Sequence, residues 1–177
     1  MTPLIAPFEM AAVLLALGGA LKAVDPADTA RALGAFGLPS RPGLVRAGGI
    51  GEMVVGVWAL VTGSLAAVVL VAVSYALFAG FVWSAQRQDL PLASCGCFGR
   101  ADTPPSPIHL GLNVAAALVA VGVAIAGGAG IVDILRAQPL WGIPYGFLVV
   151  LGVWLAFVAL TELPRALLAT AESRARA

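Results

Sequence analysis

The sequence predicts an all-α protein, a polytopic membrane helix bundle. Of its 177 residues 60% are apolar and only 11% charged, too few charges for an ordinary water-soluble domain. Five separate stretches are long and apolar enough to cross a bilayer: Leu4–Leu21, Leu44–Val61, Leu65–Ala85, Ile108–Ile125 and Pro144–Leu163. Each meets the roughly 17 to 25 residues that a helix rising about 1.5 Å per residue needs to traverse a hydrocarbon core about 30 Å thick. None alternates polar and apolar residues with a period of two, so barrel strands are excluded.

The first span begins after Met1-Thr2-Pro3, which lacks a basic n-region, and it carries Glu9. It is therefore expected to stay in the mature chain, with Glu9 near enough to a helix end to reach water. The next segment holds a helix-start signal, in which Asp25 caps, Pro26 takes the first helical position and Asp28 complements the helix dipole. Gly37 and Pro39 end it, giving a short interfacial helix over residues 26–36 in the headgroup plane.

In the second span Gly48, Glu52 and Gly56 recur every four residues and share one face, which with Gly49 and Gly51 reads as a packing surface for another helix. Thr62-Gly63-Ser64 leaves room only for a tight hairpin into the third span. Residues 86–107 form a polar loop containing Ser94-Cys95-Gly96-Cys97-Phe98-Gly99-Arg100. Ser106 and Pro107 start the fourth span, on which His109 and Asn113 lie one turn apart beside that loop. Gly127-Gly128-Ala129-Gly130 ends it, Asp133 and Arg136 are expected to pair on a surface turn, and the fifth span begins near Pro144. The chain thus divides into a four-helix membrane domain over 1–127 and an extension over 128–177, made of a connecting loop, the fifth span and a basic tail.

Orientation follows from the basic residues. Lys22, Arg31, Arg41, Arg46, Arg87, Arg100, Arg165, Arg174 and Arg176 fall on one side, and only Arg136 on the other. By the positive-inside rule the N-terminus is outside, and the cysteine loop and C-terminus are cytoplasmic, in an inner or plasma membrane. With a net charge of +1 and no basic stripe interleaved with aromatics, no nucleic-acid partner is expected. Lipid is the principal solvent.

Chemistry is concentrated in few residues. Cys95 and Cys97 are the only thiols, in a glycine-rich loop beside Arg100, whose cation favours the nucleophilic thiolate. A disulfide across one intervening residue closes a small, strained ring, which suits exchange better than stapling. A bare Cys-x-Cys leaves other readings open: an incidental pair, or a zinc or copper(I) site completed by His109 and Asp102. His109 by itself reads as a polar cap at the membrane surface. Glu52, an ionisable residue inside the bilayer, reads either as a proton relay or quinone contact, or as a protonated group joining helices by a hydrogen bond.

Taken together, these residues resemble a known family. Lys22-Ala23-Val24-Asp25-Pro26, Leu33-Gly34-Ala35-Phe36-Gly37-Leu38-Pro39, a glutamate in the second span, Cys95-Gly96-Cys97-Phe98-Gly99 after the third and an Asn early in the fourth resemble the methylamine-utilisation MauE family, over about residues 4 to 127. That family is grouped with DoxX-like four-helix membrane proteins. The fifth span and basic tail extend beyond that core, and His109 with Leu112-Asn113 stands where relatives commonly show an Arg-Asn pair.

The resemblance implies a redox-associated membrane protein whose relatives act with a thioredoxin-like partner to form the disulfides of methylamine dehydrogenase, or serve as a subunit of a quinone-linked oxidoreductase. It leads to the expectation that Cys95 and Cys97 cycle between dithiol and disulfide, the more acidic thiol attacking a partner disulfide and the other resolving the mixed disulfide. Glu52 would handle the accompanying proton, with Arg100, His109 and Asn113 in support. A cytoplasmic loop makes the pair a collector of electrons from a cytoplasmic donor, passing them to a quinone or another carrier. The rival expectations are a non-catalytic assembly subunit that docks a redox enzyme, and a metal-binding membrane protein.

Overall fold

The computed structural model describes residues 3–88, 104–163, 166 and 170. Among the described residues seven helices run in the order α1 (Ile5–Val24), α2 (Ala27–Ala35), α3 (Pro42–Thr62), α4 (Leu65–Arg87), α5 (Pro107–Ala126), α6 (Ile131–Ala137) and α7 (Pro139–Thr161). Five of them, with Gly142–Thr161 as the crossing part of α7, are long and apolar enough to span a membrane, which bears out the all-helical polytopic bundle.

The bundle is built from two close antiparallel pairs, α1 with α3 and α4 with α5, and α7 leans chiefly on α1. Side chains that interlock the pairs include Phe8 and Leu15 of α1, Val68 and Val71 of α4, and Val123 of α5, all buried. Away from this core the helices present Val54, Leu70, Leu118, Phe147 and Trp154 outward. With lipid as solvent that exposure carries no penalty.

Glycine makes the α1–α3 contact possible. A Cβ at Gly49 would strike the Gly19 carbonyl and the Lys22 side chain, and one at Gly56 would strike the backbone of Ala12 and Ala16. Gly48, which the four-residue spacing placed in the packing surface, and Gly51, which was counted with it, face open space. The face that docks is therefore the seven-residue one through Gly49 and Gly56, two helical turns apart, because the helices meet along an i, i+7 seam.

At one end of the bundle Asp25 accepts a hydrogen bond from the Ala27 N–H at 3.3 Å, but the capping position is Pro26 and α2 begins at Ala27, one residue later than the sequence suggested. Gly37, at φ 69°, ends α2, with Leu38 N–H bonded to Leu33 O and Gly37 N–H to Gly34 O. That is the double hydrogen bond of a left-handed glycine cap. Phe36 then packs on Phe81 with centroids 4.7 Å apart, which ties the end of α2 to α4. Asp28 and Arg31 form a surface ion pair on α2.

At the opposite end Gly63, at φ 56°, turns α3 into α4, and this turn meets the α5–α6 connection backbone to backbone at Gly128 and Gly130. Two expectations change here. Asp133 and Arg136 lie on the short helix α6 and form no ion pair with each other. The last spanning helix begins at Pro139, with Pro144 inside it. Proline is accepted there because neighbouring helices can satisfy the one carbonyl it frees.

Candidate functional site

Lys22 sits in the last turn of α1, where a lysine at a membrane surface ordinarily extends to water. Here the close approach of Gly19 and Gly49 brings α3 against that turn, and the side chain folds inward, leaving Lys22 4% exposed. Its Nζ lies 2.5 Å from Glu52 Oε2 and 4.4 Å from the centre of the Phe78 ring. A charge taken out of water is costly unless it is paired and hydrogen-bonded, and this short charge-assisted contact, with the ring face behind it, meets both conditions. Lys22 is thus a buried partner of Glu52, not a loop charge as its place in the sequence suggested.

The pair divides two cavities. An inner one of about 210 Å³ lies among α1, α4, α5 and α7, and its polar lining is Lys22, Glu52, Tyr75, His109 and Asn113. An outer one of about 310 Å³ lies under α2, between α3 and α4, and reaches the same Lys22, Glu52 and Phe78. A group entering from either side meets the same ion pair.

Ser106 precedes α5, and its hydroxyl lies 2.8 Å from His109 Nδ1, which holds the imidazole from the helix start. His109 is fully buried and Asn113 nearly so, because one turn of α5 turns both toward α1 and α4. The surface cap expected of His109 is corrected: it is an interior residue that lines the inner cavity. Tyr75 of α4 donates a hydrogen bond to the Ala11 carbonyl at 2.7 Å.

Glu9 also departs from expectation. It is fully buried and does not reach water. Its carboxyl interacts with the Tyr145 hydroxyl of α7, at a separation beyond ordinary hydrogen-bond length. The fifth spanning helix, added beyond the four-helix core, is what covers it.

Of the residues singled out in the sequence, the structure brings together Glu52, His109 and Asn113 around the inner cavity. Cys95, Cys97, Arg100 and Asp102 lie outside the described residues. In the sequence they fall between the end of α4 at Arg87 and the start of α5 at Pro107, helix ends that lie where Lys22 and His109 sit. Sequence reasoning missed Lys22 and Tyr75 as lining groups. The available signal for Lys22 was its place three residues, about one helical turn, after Gly19, on the helix that must pack against a glycine-rich partner.

The chemistry of the site is that of a paired ammonium and carboxylate, an imidazole fixed by a hydroxyl, and an amide, set at one end of an otherwise apolar space. Such an array can donate hydrogen bonds to an acceptor oxygen and can take up or release a proton away from bulk water. Fold and site together define a multi-pass α-helical membrane protein with a charged, hydrogen-bonding cluster inside one end of its bundle.

Residues 2–130 match the family described as methylamine utilisation protein MauE, and the chain belongs to that family. The match covers α1 to α5 and stops short of α6 and α7. No curated protein and no solved structure matches the chain.

Proposed function

We propose that this membrane protein supports disulfide formation in a partner enzyme by thiol–disulfide exchange at Cys95 and Cys97, with a thioredoxin-like protein as its immediate partner and a place in methylamine utilisation. The observation that carries this reading is the family match, which includes the Cys95-Gly96-Cys97 loop. Support comes from the helix ends on either side of the Cys95-Gly96-Cys97 segment, Arg87 of α4 and Pro107 of α5, which lie at the bundle end that holds the buried cluster.

In the direction that oxidises the partner, a thiolate of the partner attacks the Cys95–Cys97 disulfide and forms a mixed disulfide. The partner's second thiol resolves it. The partner leaves as a disulfide, and Cys95 and Cys97 remain as thiols holding two electrons to pass on. Arg100 favours the thiolate form during exchange. Glu52, now seen with Lys22 and with His109 across the cavity, is the proton-handling group of the cycle. The distribution of basic residues puts this exchange on the cytoplasmic face.

Trapping tests the reading. One of the two single variants, Cys95→Ser or Cys97→Ser, namely the one that keeps the sulfur that bonds to the partner, should accumulate a mixed disulfide on a non-reducing gel with a thioredoxin-like protein that lacks its own resolving thiol, and the double variant should accumulate none and leave the client enzyme short of its disulfides. Full client oxidation in the double variant would instead favour a non-catalytic assembly role.

A further inference from the structure

The inner cavity has features that bundle stability does not require. Its volume of about 210 Å³ exceeds the roughly 150 Å³ that accommodates benzene in a protein interior, so it has room for one substituted six-membered ring. Tyr75 and Phe78 contribute two aromatic rings to its lining, edge to face with centroids 5.9 Å apart. Planar aromatic walls favour a planar guest.

Polarity is confined to one end. Lys22 gives one of its ammonium hydrogens to Glu52 and keeps two others, and the Asn113 amide stands on the same cavity wall with His109. Because Glu52 balances Lys22, this end is neutral as a whole yet rich in donors. It matches a neutral acceptor oxygen better than an anion, whose charge would have to compete with Glu52 for the ammonium.

Much of the remaining wall is aliphatic, from Met10, Leu14, Leu112 and Leu160, but where α5 and α7 border the cavity the lining is small, Ala115 and Ala116 on one helix and Gly152 and Ala156 on the other, and these two helices scarcely touch. A seam between two helices that meet so little offers a route for a guest dissolved in the bilayer.

We propose that the inner cavity binds the ring of a lipid-soluble quinone, admitted between α5 and α7. The ring lies against Tyr75 and Phe78, one carbonyl oxygen accepts hydrogen bonds from Lys22 and Asn113, and the tail leaves through the seam. Since α7 lies beyond the family match, the site is completed by a part of this chain outside the four-helix core.

Binding stands on the cavity alone, but its purpose rests on the thiol-exchange reading. Two electrons and two protons from the Cys95 and Cys97 thiols convert quinone to quinol as the sulfur–sulfur bond forms, which restores the disulfide for the next turnover.

The test uses the full chain in vesicles of phosphatidylethanolamine and phosphatidylglycerol, photolabelled with an azido derivative of decylubiquinone and mapped by peptide mass spectrometry. Label is expected on α5 and α7 around Ala116 and Ala156, competed by unlabelled decylubiquinone. Ala156→Leu, which fills the seam, and Asn113→Leu, which removes a donor at nearly constant volume, should each lower labelling about tenfold, the factor expected for a lost contact worth about 1.4 kcal/mol. Label that is not competed and spreads over outward positions such as Leu148, Leu151 and Leu155 would overturn the proposal. So would undiminished labelling in both variants, each shown to be helical by circular dichroism. The Cys95→Ser/Cys97→Ser chain should bind the probe as well as the natural chain does. If it also leaves client oxidation intact, the thiol reading fails while the quinone site stands.

Discussion

Removing one member of a buried ion pair strands the other, whereas removing both with groups of similar volume strands neither. For Lys22 and Glu52 this difference separates a structural pair from a dispensable one. Lys22→Met alone should destabilise the bundle by about 3 kcal/mol, because it leaves the Glu52 carboxylate without its cation. Lys22→Met with Glu52→Leu should recover most of that loss, as read by thermal unfolding in detergent, yet still lack activity. Glu9 predicts the opposite sign. Both of its carboxyl oxygens are buried without a hydrogen bond, so Glu9→Met should leave stability unchanged or raise it by about 1 kcal/mol in the same assay. Neither arrangement is legible from local sequence. Glu52 declared itself as a charge in an apolar run, but which residue answers it depends on the register of α1 against α3, and burial of Glu9 depends on where α7 docks.

That register is set at the level of the helix by Gly19, Gly49 and Gly56. Gly49→Val and Gly56→Val would drive a side chain into the backbone of α1, and overpacking of this kind costs about 1–3 kcal/mol. Gly48→Val, one residue away and facing open space, should be tolerated, and a comparison of unfolding temperatures and expression levels checks the contrast. A four-residue repeat in the sequence drew attention to Gly48, because periodicity identifies a face only to within about one residue's rotation. The spans themselves were legible to within a few residues at most ends, since length and hydropathy are dictated by bilayer thickness and need no tertiary information. The short helix α2 was equally legible, to within a residue at each end, through Asp25, Pro26 and Gly37. Helix α6 was not: Ile131–Ala137 is too short to show a period, and a Pro144 read as a start proved to be interior.

Across the whole molecule, Lys22, Glu52, His109 and Asn113 gather at one end of the bundle, the end at which α4 finishes and α5 begins. This placement gives the four a common cavity, while α7 closes the side that the family core leaves uncovered. The sequence disclosed the ingredients, namely the thiols, the glutamate and the histidine, and the family they belong to. It could not disclose that an α1 lysine and an α4 tyrosine would join them, because those contacts span 30 residues and more and exist only once the helices are packed. The central claim is that Cys95 and Cys97 pass reversibly between dithiol and disulfide on the cytoplasmic face. Differential labelling in intact cells, with a membrane-impermeant maleimide and a permeant one applied before and after reductant, tests it most directly. The account predicts that both thiols resist the impermeant reagent and that the permeant one reports a mixture of states that shifts with the supply of donor. Labelling from outside, or thiols fixed in a single state whatever the donor, would contradict it.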